Sequence, residues 1–304
     1  MSKKIDVWMV GSIGIDDVET RDENRKDLLG GSLPFATAAA SFAGANVGAV
    51  GVVGSDFPKT FEKRWKKFGT DLEGVQHKAG SNFRWAGKYD DNMIDRTTLK
   101  TELGVFADFS PVLPEKYRTA PFVLLGNIQP DLQFHVLKQA KKPKFVALDS
   151  MNLWIDIAQP SLKKIIGEVD LLTVNDGEAR QLTGKWNLRD CAAEILKMGP
   201  TYVLLKKGEH GALLFTKKDV FIVPAYPVKT LKDPTGAGDT YAGAFMGYLS
   251  KAKALNVRTM RKALFFASAM ASFCVEGFSI ERLEKLTKAD VAKRMRELEK
   301  MTAM

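Results

Sequence analysis

The residues with the clearest chemical content are Asp233-Pro234-Thr235-Gly236-Ala237-Gly238-Asp239, which run into Thr240-Tyr241-Ala242-Gly243-Ala244-Phe245. Small residues at Gly236, Ala237 and Gly238 let an anion approach the backbone closely, and the segment then opens a helix. Exposed N–H groups and the positive end of the helix dipole converge on one spot there. Negative charge developing on a transferring phosphoryl group is stabilised by such an arrangement. Asp239 stands at the helix start, where its carboxylate can reach a hydroxyl and take its proton. A lone Gly-Ala-Gly is ordinarily a flexible turn before a capped helix. The whole Asp-x-x-Gly-Ala-Gly-Asp pattern, with small residues following on the helix, reads as a phosphate site.

Other candidates sit where predicted strands end. Asn175 and Glu178 follow a strand and begin a helix. Glu178 could hold a magnesium-bound water, although the same spacing also serves as an N-cap with a first-turn acid. Asp16 falls just past the first strand, at the carboxyl end of the sheet where ligands of α/β proteins bind. Asn127 and Asn152 occupy similar strand ends and are candidate hydroxyl ligands. Arg96 could meet an anionic substrate or the phosphoryl group, or lie on an exposed strand edge. The three histidines, His77, His135 and His210, form no metal or triad pattern. No Gly-x-x-x-x-Gly-Lys-Ser/Thr loop and no protein-kinase catalytic loop or Asp-Phe-Gly occurs. Gly236-Ala237-Gly238 lacks the third glycine of a dinucleotide fingerprint.

Positioning these residues requires alternating strands and helices. Strands are expected at Ile5–Val10, Val47–Val53, Phe122–Leu125, Phe145–Leu148, Leu171–Val174 and Tyr202–Leu205. Between them, Ser32–Ala45, Pro58–Phe68, Asp131–Ala140 and Arg189–Met198 read as helices. Long helices near 236–250, 257–275 and 288–299 close the chain. That alternation predicts a doubly wound α/β fold, with a mainly parallel sheet and helices on both faces. Two polar segments break the rhythm, 13–29 and 82–106, and together they predict a small β-lid on a single domain spanning residues 1–304.

Composition narrows the classes. The chain has 304 residues, 45% hydrophobic and 27% charged, which is ordinary for a globular protein. Its net charge is +9, but no basic stripe interleaves with aromatics, so nucleic acid is not the expected partner. The longest apolar run, Ala263–Val275, is too short for a bilayer, and no membrane association is expected. Two cysteines, Cys191 and Cys274, fit a reducing compartment, and a cytoplasmic location is the expectation. The basic start at Met1 to Lys4 could imitate a signal peptide, but Asp6 interrupts the apolar run and no cleavage site follows.

In order along nearly the whole chain, these motifs resemble the ribokinase-like (PfkB) family of carbohydrate and nucleoside kinases. Gly11-Ser12-Ile13-Gly14-Ile15-Asp16 is similar to the family's first strand, with its substrate-holding Asp. Gly30-Gly31 is similar to the paired glycines at the lid hinge, and Val50–Phe57 to the strand and turn after the first helix. Asn175-Asp176-Gly177-Glu178 resembles the Asn-x-x-Glu element tied to magnesium and phosphate, and Lys206-Lys207-Gly208 the turn along the nucleotide. The resemblance implies ATP as phosphoryl donor, Mg2+ as cofactor, K+ near Asp233 in some members, and lid-to-lid homodimers. It assigns Asp239 as base, with Gly236, Ala237 and Gly238 as the anion hole. Asp16, Gly30, Gly31, Asn127, Asn152 and Arg96 fall to the substrate. Asn175, Lys206, Gly208, Gly236 and Gly238 fall to the nucleotide. Phe35 and Gly14 stand where many sugar kinases carry Asn, so a bulkier acceptor is expected than in ribokinase itself. A small sugar-like acceptor, a nucleoside, and a non-catalytic binding role remain as readings. The intact Asp239 and glycine loop argue against the last.

Overall fold

The computed structural model describes residues 3–303, so Met1 and Ser2 of the basic start lie outside it. The chain opens with β1 (Val7–Val10), β2 (Gly14–Glu19), β3 (Asn24–Gly30), α1 (Ser32–Phe42), β4 (Val47–Gly54), α2 (Lys59–Lys66) and β5 (Asp71–Lys78). Next come β6 (Phe83–Tyr89), β7 (Arg96–Glu102), β8 (Phe122–Leu125), α3 (Pro130–Leu137), β9 (Phe145–Asp149), α4 (Asn152–Ile157) and α5 (Gln159–Ile166). Then follow β10 (Leu171–Asn175), α6 (Asp176–Thr183), α7 (Leu188–Lys197) and β11 (Tyr202–Lys206). The last elements are β12 (Ala212–Phe215), β13 (Val220–Val223), α8 (Ala237–Ser250), α9 (Val257–Cys274) and α10 (Lys288–Thr302).

Nine strands form the main sheet in the order β13-β12-β11-β10-β9-β8-β1-β4-β5. Pairing is parallel except at one edge, where β12 and β13 run antiparallel. These two edge strands and β5 were not expected from the sequence. β1, β4 and β8 are buried along their whole length, which is why they read as apolar runs rather than alternations. Successive residues of β1 still divide between two cores. Val7 and Met9 face the layer of α1, α8 and α9, whereas Trp8 and Val10 face the layer containing α3, α5, α6 and α7. β1 pairs with β4 on one side and β8 on the other. The direction of chain progression reverses between β1 and β8, and this makes a crevice at the carboxyl ends of the strands. α8 enters that crevice pressed against α1, because a side chain at Gly243 would strike the Ala36 backbone at 2.1 Å.

The second sheet has four strands in the order β3-β2-β6-β7. β2 pairs antiparallel with β3 and parallel with β6, and β6 pairs antiparallel with β7. β7 is exposed at every position. A small cluster of Val18, Leu28, Tyr89 and Met93 meets Phe278 from the main body, with Trp85 and Leu231 against it. Such a sheet cannot bury both faces alone, and Phe278 supplies part of what it lacks. Gly104–Phe106 is a short 3-10 turn outside the sheet, where Phe106 stacks on Phe109 at 5.8 Å.

Among the described residues no helix is long and apolar enough to cross a membrane. Cys191 and Cys274 are free and buried.

Candidate active site

The segment before α8 is shaped from within. The Asp233 carboxylate accepts the Thr235 N–H at 2.8 Å and is almost wholly buried. Burial pushes its carboxyl up to about 6, against hydrogen bonds from Thr235 and Ser279. Gly236 takes a left-handed conformation, φ 76°, as the N-cap of α8. A Cβ there would come within 2.4 Å of the Phe35 ring. The Phe35 ring lies in the core of α1 and α8 and backs the glycine turn.

Asp239 follows in the first turn of α8. Burial pushes its carboxyl up to about 7; Asp149 adds to the rise, while Lys206 and Arg96 oppose it. A carboxylate that ionises near neutrality is suited to general-base work. The strand ends opposite hold an ion pair, Lys206 Nζ to Asp149 Oδ1 at 3.0 Å, with side-chain exposures of 17% and 7%. Burial alone would pull the Lys206 ammonium down, but Asp149, Glu178 and Asp239 together hold it above its usual value. Burial raises the Asp149 carboxyl in spite of Lys206. Gln133, fully buried, donates to the backbone carbonyls of Gly126 at 2.8 Å and Asp149 at 3.0 Å, tying the ends of β8 and β9 together. Val10, Ser32, Gly126, Asp149 and Asp239 share the lining of one small cavity.

Asn175 and Glu178 form a reciprocal capping box. The Asn175 side chain accepts the Glu178 N–H at 2.7 Å, and Glu178 Oε2 accepts the Asn175 N–H at 2.8 Å. The spacing therefore does structural work. Burial raises the Glu178 carboxyl, with the Lys206 charge opposing. Among the described residues its Oε1 has no hydrogen-bond partner. Gly208 opens the short turn after β11 with φ 52°.

The four-stranded sheet closes the other side. Asp16 lies on β2 of this sheet, within the segment 13–29 expected to form the lid. Burial pushes its carboxyl up to about 7; the Gly31 N–H opposes, and Asp233 and Asp239 add to the rise. Its Oδ1 is buried without a hydrogen-bond partner among the described residues. Gly30 makes room for it, since a Cβ there would sit 1.9 Å from the carboxylate. Ser12 and Ser32 exchange hydrogen bonds at 3.0 and 3.1 Å, fixing the start of α1 against the β1–β2 link. Tyr89, on β6, bonds through its hydroxyl to Thr235 Oγ1 at 3.1 Å. Arg96 is exposed on β7 and lies over the Trp85 ring at 5.9 Å. Its charge nonetheless reaches Asp239 and Glu178.

Asp16, Gly30, Gly31, Asp233, the Gly236–Asp239 turn, Lys206 and Glu178 thus belong to one region. Asn127 and Asn152 follow the neighbouring strands β8 and β9. Asn127 has both ends engaged, accepting from Trp154 Nε1 at 2.8 Å and donating to Met151 Sδ at 3.0 Å. Asn152 is exposed at the first position of α4. The sequence reading missed Asp149. Its signal was a charged residue ending the apolar run Phe145–Leu148, at the edge of the sheet where ligands bind.

Residues 16–282 match the family described as pfkB family carbohydrate kinase. The chain belongs to that family. It is an ATP-dependent phosphotransferase whose acceptor is a hydroxyl of a sugar or a nucleoside. A cytidine kinase of Thermococcus kodakarensis is 29% identical over 258 residues, covering 83% of this chain and 91% of that protein. A ribokinase of Arabidopsis thaliana is 30% identical over 172 residues, 53% of this chain and 42% of that one. Among solved structures, the nucleoside kinase of Methanocaldococcus jannaschii superposes with a TM-score of 0.77 at 18% identity, covering 97% of this chain and all of that one. It shares the fold.

Proposed function

We propose that this kinase phosphorylates a nucleoside, with Asp239 as the general base and the Gly236–Asp239 amides as the anion hole. The observation that carries the catalytic part is the half-buried Asp239, whose carboxyl is raised to about 7 in the first turn of α8 behind the glycines. Asp239 takes the proton of the acceptor hydroxyl as its oxygen attacks the γ-phosphorus of ATP, and the bond to the β-phosphate oxygen breaks. The amides of Gly236, Ala237 and Gly238 hold the charge on the phosphoryl group. Asp16 holds the acceptor through the oxygen that has no protein partner. The nucleoside reading is supported by the extent of the likeness: the match to the cytidine kinase spans most of both chains, whereas the match to the ribokinase spans about half.

Magnesium fits the residues present. Asp149, Glu178 and Asp239 surround a single Lys206, which leaves an excess of negative charge, and Glu178 keeps one oxygen free of the capping box. Glu178, through water, and Asn175 would hold the ion, which supplies charge neutralisation at the phosphates. Potassium at loop carbonyls near Asp233 is part of the same proposal. So are a single domain with the four-stranded sheet as its lid, a cytoplasmic location, and a homodimer through the lid. The exposed β7, with Leu99 at 56% exposure, supports the dimer, and light scattering on the purified protein measures it.

A coupled ADP-release screen tests the function over nucleosides, free sugars, sugar acids and sugar phosphates. Turnover highest on a nucleoside is the expected result. Turnover highest on a free sugar overturns the nucleoside reading and leaves the kinase reading intact.

A further inference from the structure

We propose that Lys206, held in place by Asp149, is the fixed cation that meets the transferred phosphoryl group, and that Asp149 is its positioning residue. This rests on the kinase reading above and adds a part that the glycine turn and magnesium do not supply. Three observations support it. First, Lys206 Nζ lies 3.2 Å from where a Cβ of Gly238 would be, so the ammonium sits directly against the anion-binding turn. A side chain at that position would crowd it, whereas glycine leaves room for both the ammonium and a phosphate oxygen. Second, among the described residues the ammonium has a single hydrogen-bonded anchor, Asp149 at 3.0 Å, in a pair largely shielded from water. An ammonium has three donors, so one anchored bond leaves others available to oxygens at the turn. Third, Asp149 is itself held. Its backbone carbonyl is gripped by the buried Gln133, and its side chain lines the same small cavity as Asp239.

Burying an ion pair seldom stabilises a fold compared with apolar packing, and removing one partner is costly. A pair placed at the mouth of the site, against the glycine turn, is better explained by a ligand it receives. The charge geometry agrees. The ionisable groups that act on Asp239 are Asp149 from β9, Lys206 from β11 and Arg96 from β7. Asp16 from β2 and Cys274 from α9 also feel its charge. Asp149 makes ionisation of Asp239 harder and Lys206 makes it easier. The two members of the pair therefore act on the base with opposite signs.

The opposing signs give the proposal its test. The charge-pair variants are Lys206→Met, Asp149→Asn and the double variant, each first checked for folding by thermal denaturation. Calorimetry with ADP and with a non-hydrolysable ATP analogue needs no acceptor and no turnover. In Lys206→Met the analogue should bind on the order of tenfold more weakly, in keeping with loss of a charge-assisted hydrogen bond, with ADP changed less than about twofold. Equal losses for both nucleotides would place Lys206 on the common part of the nucleotide and overturn the proposal. A carboxyl 13C titration, with Asp239 assigned through Asp239→Asn, reads the second part. The Asp239 midpoint should rise in Lys206→Met, fall in Asp149→Asn and return toward the parent in the double variant. Shifts of the same sign in both single variants would mean that the pair only supports packing. If Lys206→Met alone fails to fold, the double variant carries the calorimetric test, because it removes both members of the buried pair together. Absence of any turnover in the acceptor screen, with these binding and titration results intact, would count against the kinase reading and not against the pair.

Discussion

The two sheets of this protein solve different problems. The nine-stranded sheet buries its central strands on both faces and delivers Asp149, Asn175 and Lys206 at the carboxyl ends of adjacent strands. The four-stranded sheet leaves one strand wholly exposed and owes its small core partly to Phe278 of the main body. Rigid packing positions the groups that handle charge, while the smaller sheet carries Asp16 and Tyr89 on the other side of the site. Groups that stabilise a phosphoryl transition state must not move at the moment of reaction. A lid must open for substrate to enter, so the difference in packing follows the difference in task.

The largest break in this division should come from the rigid side. Asp239→Asn is expected to lower kcat on a verified acceptor by on the order of a hundredfold or more, with ATP-analogue binding and the melting temperature close to those of the parent. Near-parental turnover would remove Asp239 as the base.

Next in size is Asp16→Asn on the lid. Its carboxyl ionises at about 7 in the folded protein against an ordinary 3.8. The folded chain therefore keeps this proton to higher pH than the unfolded chain. Stability falls as pH rises from about 4 to 7 and levels off above the folded value. The Asn variant should be more stable than the parent at pH 8 by up to about 4 kcal/mol, less what the buried amide costs, and unchanged at pH 4. Acceptor KM should rise sharply while ATP affinity holds. Equal stability at both pH values would mean that Asp16 reaches solvent.

Tyr89→Phe removes the bond between lid and glycine turn. A single hydrogen bond contributes about 0.5–1.5 kcal/mol, so a several-fold rise in acceptor KM is expected, with nucleotide binding unaffected. A larger effect on ATP than on acceptor would place this strand over the nucleotide.

The smallest effect belongs to Glu178→Gln. The amide can keep its cap on Asn175 while losing the charge, so the fold should hold and the magnesium needed for half-maximal rate should rise a few-fold, with acceptor KM little changed. An unchanged magnesium titration would leave the capping box as the whole role of Glu178.

Much of this was written in local sequence. The apolar runs at Val47–Val53, Phe122–Leu125 and Leu171–Val174 announced buried parallel strands, because burial on both faces leaves no polar alternation. The Gly-Ala-Gly-Asp segment announced a tight turn opening a helix, because left-handed backbone and a free helix end are properties of a short segment. The edge strands β12 and β13 were not legible, since their neighbours are set by how the sheet ends. Whether a residue at a strand end faces the site was not legible either. Trp154 and Met151 engage both ends of the Asn127 amide, and the Phe35 ring packs behind Gly236. Asp16 lies on β2, in the lid segment read from the sequence, but its neighbours Gly30, Asp233 and Asp239 are set by the fold. The partners that decided each of these positions come from distant parts of the chain, and so does the pairing of Lys206 with Asp149 across 57 residues. Local sequence determined which residues could do chemistry; the crossing of strands and helices decided which of them meet.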